Sequence, residues 1–377
     1  MVRSFNVTKK ERLKMLDPTI IICTVILSTM SILTLVGGYG EFPDVTKSNL
    51  IIQIGSTVVG IAAMLILSML DYEEIVEKLY GAFFIISVAL LAVTLLFGTS
   101  MGTNLSYLRI GPVGIQPSEF VKASYILTFS RHLGLVKEKI NSLKTLLGLG
   151  IHAGVIIGLV LISGDLGVAL VYVGITAIML FCAGLSVWYF VGAFAAVGLA
   201  FPYLWDRLAG YQQQRIIVGF NPDLDPVVWG YQQIWGRRAV ANGGVWGRGM
   251  FDGDFFKITP HAETDFMFST YCEKFGLVGG FLLLLTMAVL IVRILFIAAG
   301  ARKSYGRFIC IGAAAALILQ TLENAGMCMG FLPVVGITLP FMSYGGSSML
   351  ALFILMGMVQ SVRSHHDKYF FARTWEE

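Results

Sequence analysis

The stretch TYCEKFGLVGGFLLLLTMAVLIVRILFIAA, residues 270–299, decides the architecture. From Phe275 to Val292 it carries no charged side chain. At a rise of about 1.5 Å per residue, a helix of this length reaches across about 30 Å of hydrocarbon. Nine further apolar blocks of similar kind occupy residues 18–36, 50–70, 80–97, 118–133, 145–162, 166–184, 187–204, 307–330 and 344–361. Hydrophobic residues make up 56% of the 377 and charged residues only 13%, against about 25% charged in a soluble domain. Mean hydropathy is +0.78. The expectation is an all-α integral membrane protein: one polytopic domain over 1–377, about ten transmembrane helices, and a long structured extracellular loop between helices 7 and 8.

Orientation follows from basic residues, which favour cytoplasmic loops. Ten spans with the N-terminus inside place sixteen Lys and Arg in inner segments and eight in outer ones. Six of those eight lie in one segment, 205–265, which is too long to obey the rule. This predicts a cytoplasmic tail at 1–17, an extracellular loop at 205–265 and a second cytoplasmic tail at 362–377. MVRSFNVTKKERLK, without a small-x-small cleavage site after the first span, reads as an uncleaved signal anchor. The net charge of +4 reflects this topology and gives no support to nucleic-acid binding. The five cysteines have no paired spacing and imply neither disulfides nor a zinc site.

The 205–265 loop is rich in Trp, Tyr, Gly and Arg, a composition suited to the headgroup layer. Arg207, Arg215, Arg237, Arg238 and Arg248 offer bidentate donors for phosphate or diphosphate; attraction to anionic headgroups is the duller alternative.

Ionisable groups in or beside spans are costly and need a reason. Glu119 and Lys122 open the fourth span, Asp165 sits between the fifth and sixth, Asp265 and Glu273 flank the eighth, and Glu323 lies near the outer end of the ninth. All fall within roughly 15 Å of the outer boundary, which predicts a polar cavity open to the outer leaflet. Duller readings stand beside each: an internal Glu119–Lys122 ion pair, Asp165 or Asp265 as helix caps, and Glu273 or Glu323 protonated and bonded between helices. LPFMSYGGSSML, 339–350, reads as tight helix packing through small residues. Phosphate-loop, HExxH and GxSxG motifs are missing, so ATPase, zinc-protease and serine-hydrolase chemistry have no support.

Four stretches together resemble the SEDS family of RodA, FtsW and SpoVE proteins: GIQPSEFVK (114–122), GDLGVALV (164–171), YQQQRIIVGFNPDLDP (211–226) through ANGGVWGRG (241–249), and NAGMCMGFLPVVGITLPFMSYGGSS (324–348). The short tails and LPVVGITLPFMSYGG look most like RodA. The resemblance implies a peptidoglycan glycosyltransferase of the bacterial cytoplasmic membrane. Such an enzyme polymerises lipid II into undecaprenyl-diphosphate-linked glycan on the outer face, beside membrane lipids, with a class B penicillin-binding protein as partner. By motif, the family's essential loop aspartate falls on Asp265, its QPSE-x-x-K glutamate and lysine on Glu119 and Lys122, its DLG aspartate on Asp165, and its YQ-x-x-R arginine on Arg215. The chain departs from the family at Ser106–Tyr107, usually Arg-Trp; at Ser163–Gly164, usually Gln-Pro; and at Trp235–Gly236, usually Gln-Ser. His261 and Glu263 are exchanged relative to the family's P-E-x-H-T-D.

Attack by a sugar 4-hydroxyl on a diphosphate-linked anomeric carbon needs one base and positive charge on the leaving group. Asp265 is the expected base. Arg215 and Lys122 are expected on the diphosphate, with Glu119 holding Lys122 and with Glu263 or His261 tuning Asp265 or helping to hold a metal. No cofactor is required, a divalent cation (Mg or Mn) being an optional aid at the diphosphate. Two other classes compete: a lipid II flippase, which needs a polar route at all depths, and a non-catalytic scaffold for the penicillin-binding protein.

Overall fold

A computed structural model describes residues 15–42, 46–101, 104–110, 113–208 and 210–366. Most of the basic N-terminal tail and residues 367–377 of the C-terminal one lie outside the described residues. Ten long helices coincide with the ten apolar blocks: α1 Pro18–Gly37, α2 Lys47–Met69, α3 Tyr72–Phe97, α4 Pro117–Val136, α5 Leu143–Ile162, α6 Leu166–Cys182, α7 Val187–Trp205, α10 Met267–Gly300, α11 Ser304–Cys328 and α12 Gly346–His366. Between α7 and α10, the long loop folds into α8 Gly210–Phe220 and α9 Tyr231–Gly243. Seven of these helices are long and apolar enough to cross a membrane by length and composition, and α6 and α7 are shorter apolar helices. The last helix runs on to His366, into the segment expected as a tail.

Helix starts follow local chemistry. Asp17 accepts the N–H of Thr19 at 3.0 Å, with Pro18 at the first helical position, and Ser142 accepts that of Thr145 at 3.3 Å. Asp17 also pairs with Arg293 of α10 through Nε at 2.6 Å, tying the first helix to the eighth span. The scaffold is centred on α11, which packs against α4, α6, α10 and α12. Its GAAAA run, 312–316, permits this: a Cβ on Gly312 would stand 2.7 Å from Ile126 of α4 and 3.0 Å from the sulfur of Met179 of α6. Helices α2 and α12 form the most extensive single pair, while α7 stands at the periphery with Trp188, Phe194 and Leu199 exposed.

Two features depart from a plain bundle. A small antiparallel meander joins α3 to α4: β1 Thr99–Met101, β2 Asn104–Ile110 and β3 Val113–Ile115. The second is a break in α10 at Gly276, whose φ of 68° and ψ of −169° suit glycine alone. The loop segment 243–249 fills the break: Arg248 N–H donates to Glu273 O, Gly249 N–H to Lys274 O, and Leu277 N–H to Gly244 O, at 2.9–3.0 Å. Carbonyls that lose their helical partners are thus paired with other backbone, as a site at membrane depth demands.

Candidate active site

Residues 259–266 form the turn that carries Asp265 into α10. His261 adopts φ 57°, and its carbonyl accepts the N–H groups of Thr264 at 3.2 Å and Phe266 at 3.0 Å. The next four carbonyls are taken from three places, α10, α11 and residues 343–344. Ala262 O accepts Thr270 Oγ1 at 2.9 Å, and Glu263 O accepts Tyr344 N–H at 2.8 Å. Thr264 O accepts Ser343 Oγ at 2.5 Å, and Asp265 O accepts Asn324 Nδ2 at 2.8 Å. Asn324 also donates to Ile337 O at 2.7 Å, so α11 holds the turn and the 329–345 segment together. The small-residue reading of LPFMSYGGSSML holds at Gly346, where a Cβ would stand 3.0 Å from Ile52 of α2, and Ser343 and Tyr344 of the same stretch hold the Thr264 and Glu263 carbonyls of the turn.

The Asp265 side chain is half-buried. Gly336, at φ 81°, is so near that a Cβ there would sit 3.3 Å from Oδ2. Burial pushes the Asp265 carboxyl above the ordinary carboxylate range; the His261 charge, a hydrogen bond from Thr264 and the Arg215 charge oppose that, and the Asp165 charge adds to it. A carboxyl raised in this way is a better proton acceptor than an exposed aspartate. His261 is exposed and bears on Asp265, whereas Glu263 is buried and its charge raises the Tyr344 phenol, which burial has already pushed up.

A second group faces the same space. Asp165 caps α6 through Val168 N–H at 3.1 Å and accepts Gln116 Nε2 at 3.2 Å. Burial raises its carboxyl, against Val168, Gln116 and Lys122 and together with Glu119. Lys122 Nζ lies 3.0 and 2.9 Å from the two oxygens of Glu119, and both residues are under 5% exposed. The pair is therefore internal, as the duller reading of their spacing expected. Tyr107, on β2, donates its hydroxyl to Gln116 Oε1 at 3.3 Å. Burial raises its phenol, with Asp265, Glu119 and Asp165 contributing. The sequence marks Tyr107 only as a departure from the family; the meander is what delivers it to the carboxylates.

Of the five loop arginines, four are occupied nearby. Arg207 lies over the Tyr203 ring and Arg238 over Trp235; Arg237 faces Asp223 at 3.7 Å; Arg248 Nε donates to Asn242 Oδ1 at 3.1 Å. Arg215 lines a pocket with Gly219, Val228, Trp229, Gln232 and Val334. Glu273 accepts four N–H donors, from the Asn242 side chain of α9 and from the backbone of Asp254, Phe255 and Phe256, so the expected bond between helices is present. Glu323 makes no hydrogen bond or ion pair among the described residues, so the expected inter-helix bond is not there.

The family model described as Cell cycle protein, covering FtsW, RodA and SpoVE, matches residues 14–368. The chain belongs to this family. The SEDS chain is 32% identical over 360 residues to the peptidoglycan glycosyltransferase MrdB of Escherichia coli K12, covering 93% of this chain and 94% of that one. It is 34% identical over 326 residues to stage V sporulation protein E of Bacillus subtilis, covering 82% and 85%. Among solved structures, a chain from a peptidoglycan synthase complex described as coordinating polymerization and crosslinking superposes with TM-score 0.81 at 26% identity, covering 93% and 98%. RodA of Thermus thermophilus shares the fold, with TM-score 0.68 at 23% identity, covering 94% and 98%.

Proposed function

We propose that this SEDS protein is a peptidoglycan glycosyltransferase that polymerises lipid II at the outer face of the bacterial cytoplasmic membrane, both termini being cytoplasmic. Its identity to named peptidoglycan glycosyltransferases over most of the chain supports the reaction class. The observation that carries the mechanism is Asp265: the turn that bears it is held from α10, α11 and the 343–344 segment, its carboxyl is raised by burial, and Arg215 lies within electrostatic reach.

In the proposed step, Asp265 accepts the proton of an acceptor sugar hydroxyl as that oxygen forms a bond to the donor's anomeric carbon. The anomeric carbon–oxygen bond to the diphosphate breaks, and the diphosphate leaves with the electron pair. Arg215 stabilises the charge that develops on it. The buried Glu119–Lys122 pair and Asp165 set the field beneath the base. Among the described residues no three metal-ligating side chains converge, and Asp165 is already engaged by Val168 and Gln116. A divalent cation at the diphosphate would be held by the phosphate oxygens with Asp265 or Asp165 as its carboxylate ligand, and would there offset the leaving group's charge. The likeness to a complex that couples polymerization to crosslinking supports a class B penicillin-binding protein as partner.

Purified wild type and Asp265→Asn, incubated with lipid II and resolved as glycan strands on gels, test this reading. Loss of a positioned base costs about 10²–10⁴ in rate, so the variant is expected to be inactive on the scale of the assay. Near-normal strand synthesis by a folded Asp265→Asn protein would refute the assignment.

A further inference from the structure

The pocket beside Arg215 has a composition the mechanism above does not use. It measures about 190 Å³ and is lined by Arg215 and Gly219 of α8, Val228 and Trp229 of the following turn, Gln232 of α9, and Val334. Whole small-molecule sites run to about 300–1,000 Å³, so this is room for one ring rather than a whole ligand. An indole, an amide with donor and acceptor, and a guanidinium line it; such groups offer a flat face for C–H groups, partners for hydroxyls, and a partner for an anion.

Its walls are fixed. A Cβ on Gly219 would stand 2.3 Å from Cβ of Pro333, so α8 is seated on the 333–334 backbone. Gln233 Nε2 donates to Leu332 O at 2.8 Å, seating α9 on the same segment, and Gly230 N–H donates to Asp225 O at 2.8 Å, closing the turn that carries Trp229. The pocket also adjoins Asp265. Val334 lies two residues from Gly336, and two residues of chain span at most about 7 Å. Gly336 is in turn the residue whose Cβ would stand 3.3 Å from Asp265 Oδ2.

We propose that this pocket is a sugar subsite, in which Trp229 and Gln232 hold a pyranose ring whose diphosphate lies on Arg215 and whose reacting end points toward Asp265. The proposal rests on the glycosyltransferase reading and names Trp229 and Gln232 as specificity-determining residues for the sugar half of the donor. A diphosphate on Arg215 is shared by sugar-bearing and sugar-free polyprenyl carriers; Trp229 and Gln232 distinguish them.

The test measures binding, in the Asp265→Asn background so that turnover plays no part. Full-length protein in lipid nanodiscs is titrated with polyprenyl-diphosphate-linked disaccharide, with polyprenyl diphosphate lacking sugar, and with phosphatidylglycerol. Trp229→Ala is expected to weaken the sugar-bearing ligand about tenfold, the loss of one aromatic contact, and to leave the sugar-free diphosphate unchanged. Trp229→Phe should restore most of the difference, and Gln232→Ala should weaken only the sugar-bearing ligand. Equal loss for all three ligands would make Trp229 a membrane anchor or a folding residue and overturn the proposal, as would no loss for any. If Asp265→Asn retained glycan synthesis, the same titrations with a non-hydrolysable phosphonate analogue of the sugar-bearing ligand would read binding without turnover; a persisting sugar-selective loss would keep the subsite and place the base elsewhere.

Discussion

Removing one half of the Glu119–Lys122 pair should cost far more than removing both. At 2.9 Å the two unit charges attract by about 6 kcal/mol for an effective dielectric of about 20. Most of that offsets the desolvation of two residues with side chains 4% exposed. Glu119→Gln or Lys122→Met alone leaves an uncompensated buried charge, and each is expected to destabilise by about 3–5 kcal/mol. The double substitution removes both charges with little change in volume and should cost about 2 kcal/mol or less, so the two single losses are strongly non-additive. The assay is a thermal-unfolding midpoint for the four proteins in one detergent, alongside glycan synthesis. Additive losses, with the double variant the least stable of the four, would refute the reasoning. A stable double variant without activity would show that the pair's field, rather than its contribution to folding, is what the reaction needs.

Three further outcomes are expected. The His261 charge lowers the proton affinity of Asp265, so His261→Ala should raise that affinity; because the base works deprotonated, the acid limb of the pH–rate profile should move to higher pH, and a shift to lower pH or none would remove His261 from the site. Gly276→Ala places a Cβ 2.3 Å from Gly247 N in a conformation costing a non-glycine residue about 1–3 kcal/mol, so the unfolding midpoint should fall and the 244–249 segment should become open to proteolysis; an unchanged midpoint would count against the break. Arg215→Lys keeps the charge and loses the bidentate fork, so turnover on lipid II should fall by about tenfold or more with the midpoint unmoved, and unchanged kinetics would leave Arg215 with no part in leaving-group stabilisation.

Much of this was legible in the sequence because hydropathy and i,i+3 spacing are local. All ten apolar blocks became helices, and Glu119 and Lys122 paired on one face of α4 as their spacing predicts. What was not legible depends on contacts between distant segments. The Gly276 break vanishes in a hydropathy average because the long apolar run 277–292 that follows outweighs Glu273 and Lys274 before it; the only hints were the glycines of EKFGLVGG and those of the upstream segment 243–249. The role of Ser343 and Tyr344 rests on backbone hydrogen bonds to residues 264 and 263, which no side-chain pattern announces. Five arginines in one loop look alike as letters. Four have neighbours that occupy them, and the residues that make Arg215 different, Trp229 and Val334, are distant in sequence.

The break in α10 also bears on how the protein is made. Residues 277–300 alone extend about 36 Å as a helix, enough to insert as a span unaided. Residues 267–275, which follow Asp265, end in carbonyls that find their donors in the loop segment 247–249. Biogenesis therefore separates into two events. Membrane insertion can finish on residues 277–300 while residues 267–275 are unformed, and the turn that carries Asp265 matures only after residues 243–249 have folded onto it. A lesion in ANGGVWGRG would then yield a correctly inserted protein, present in the membrane at normal abundance, whose aspartate never reaches its place.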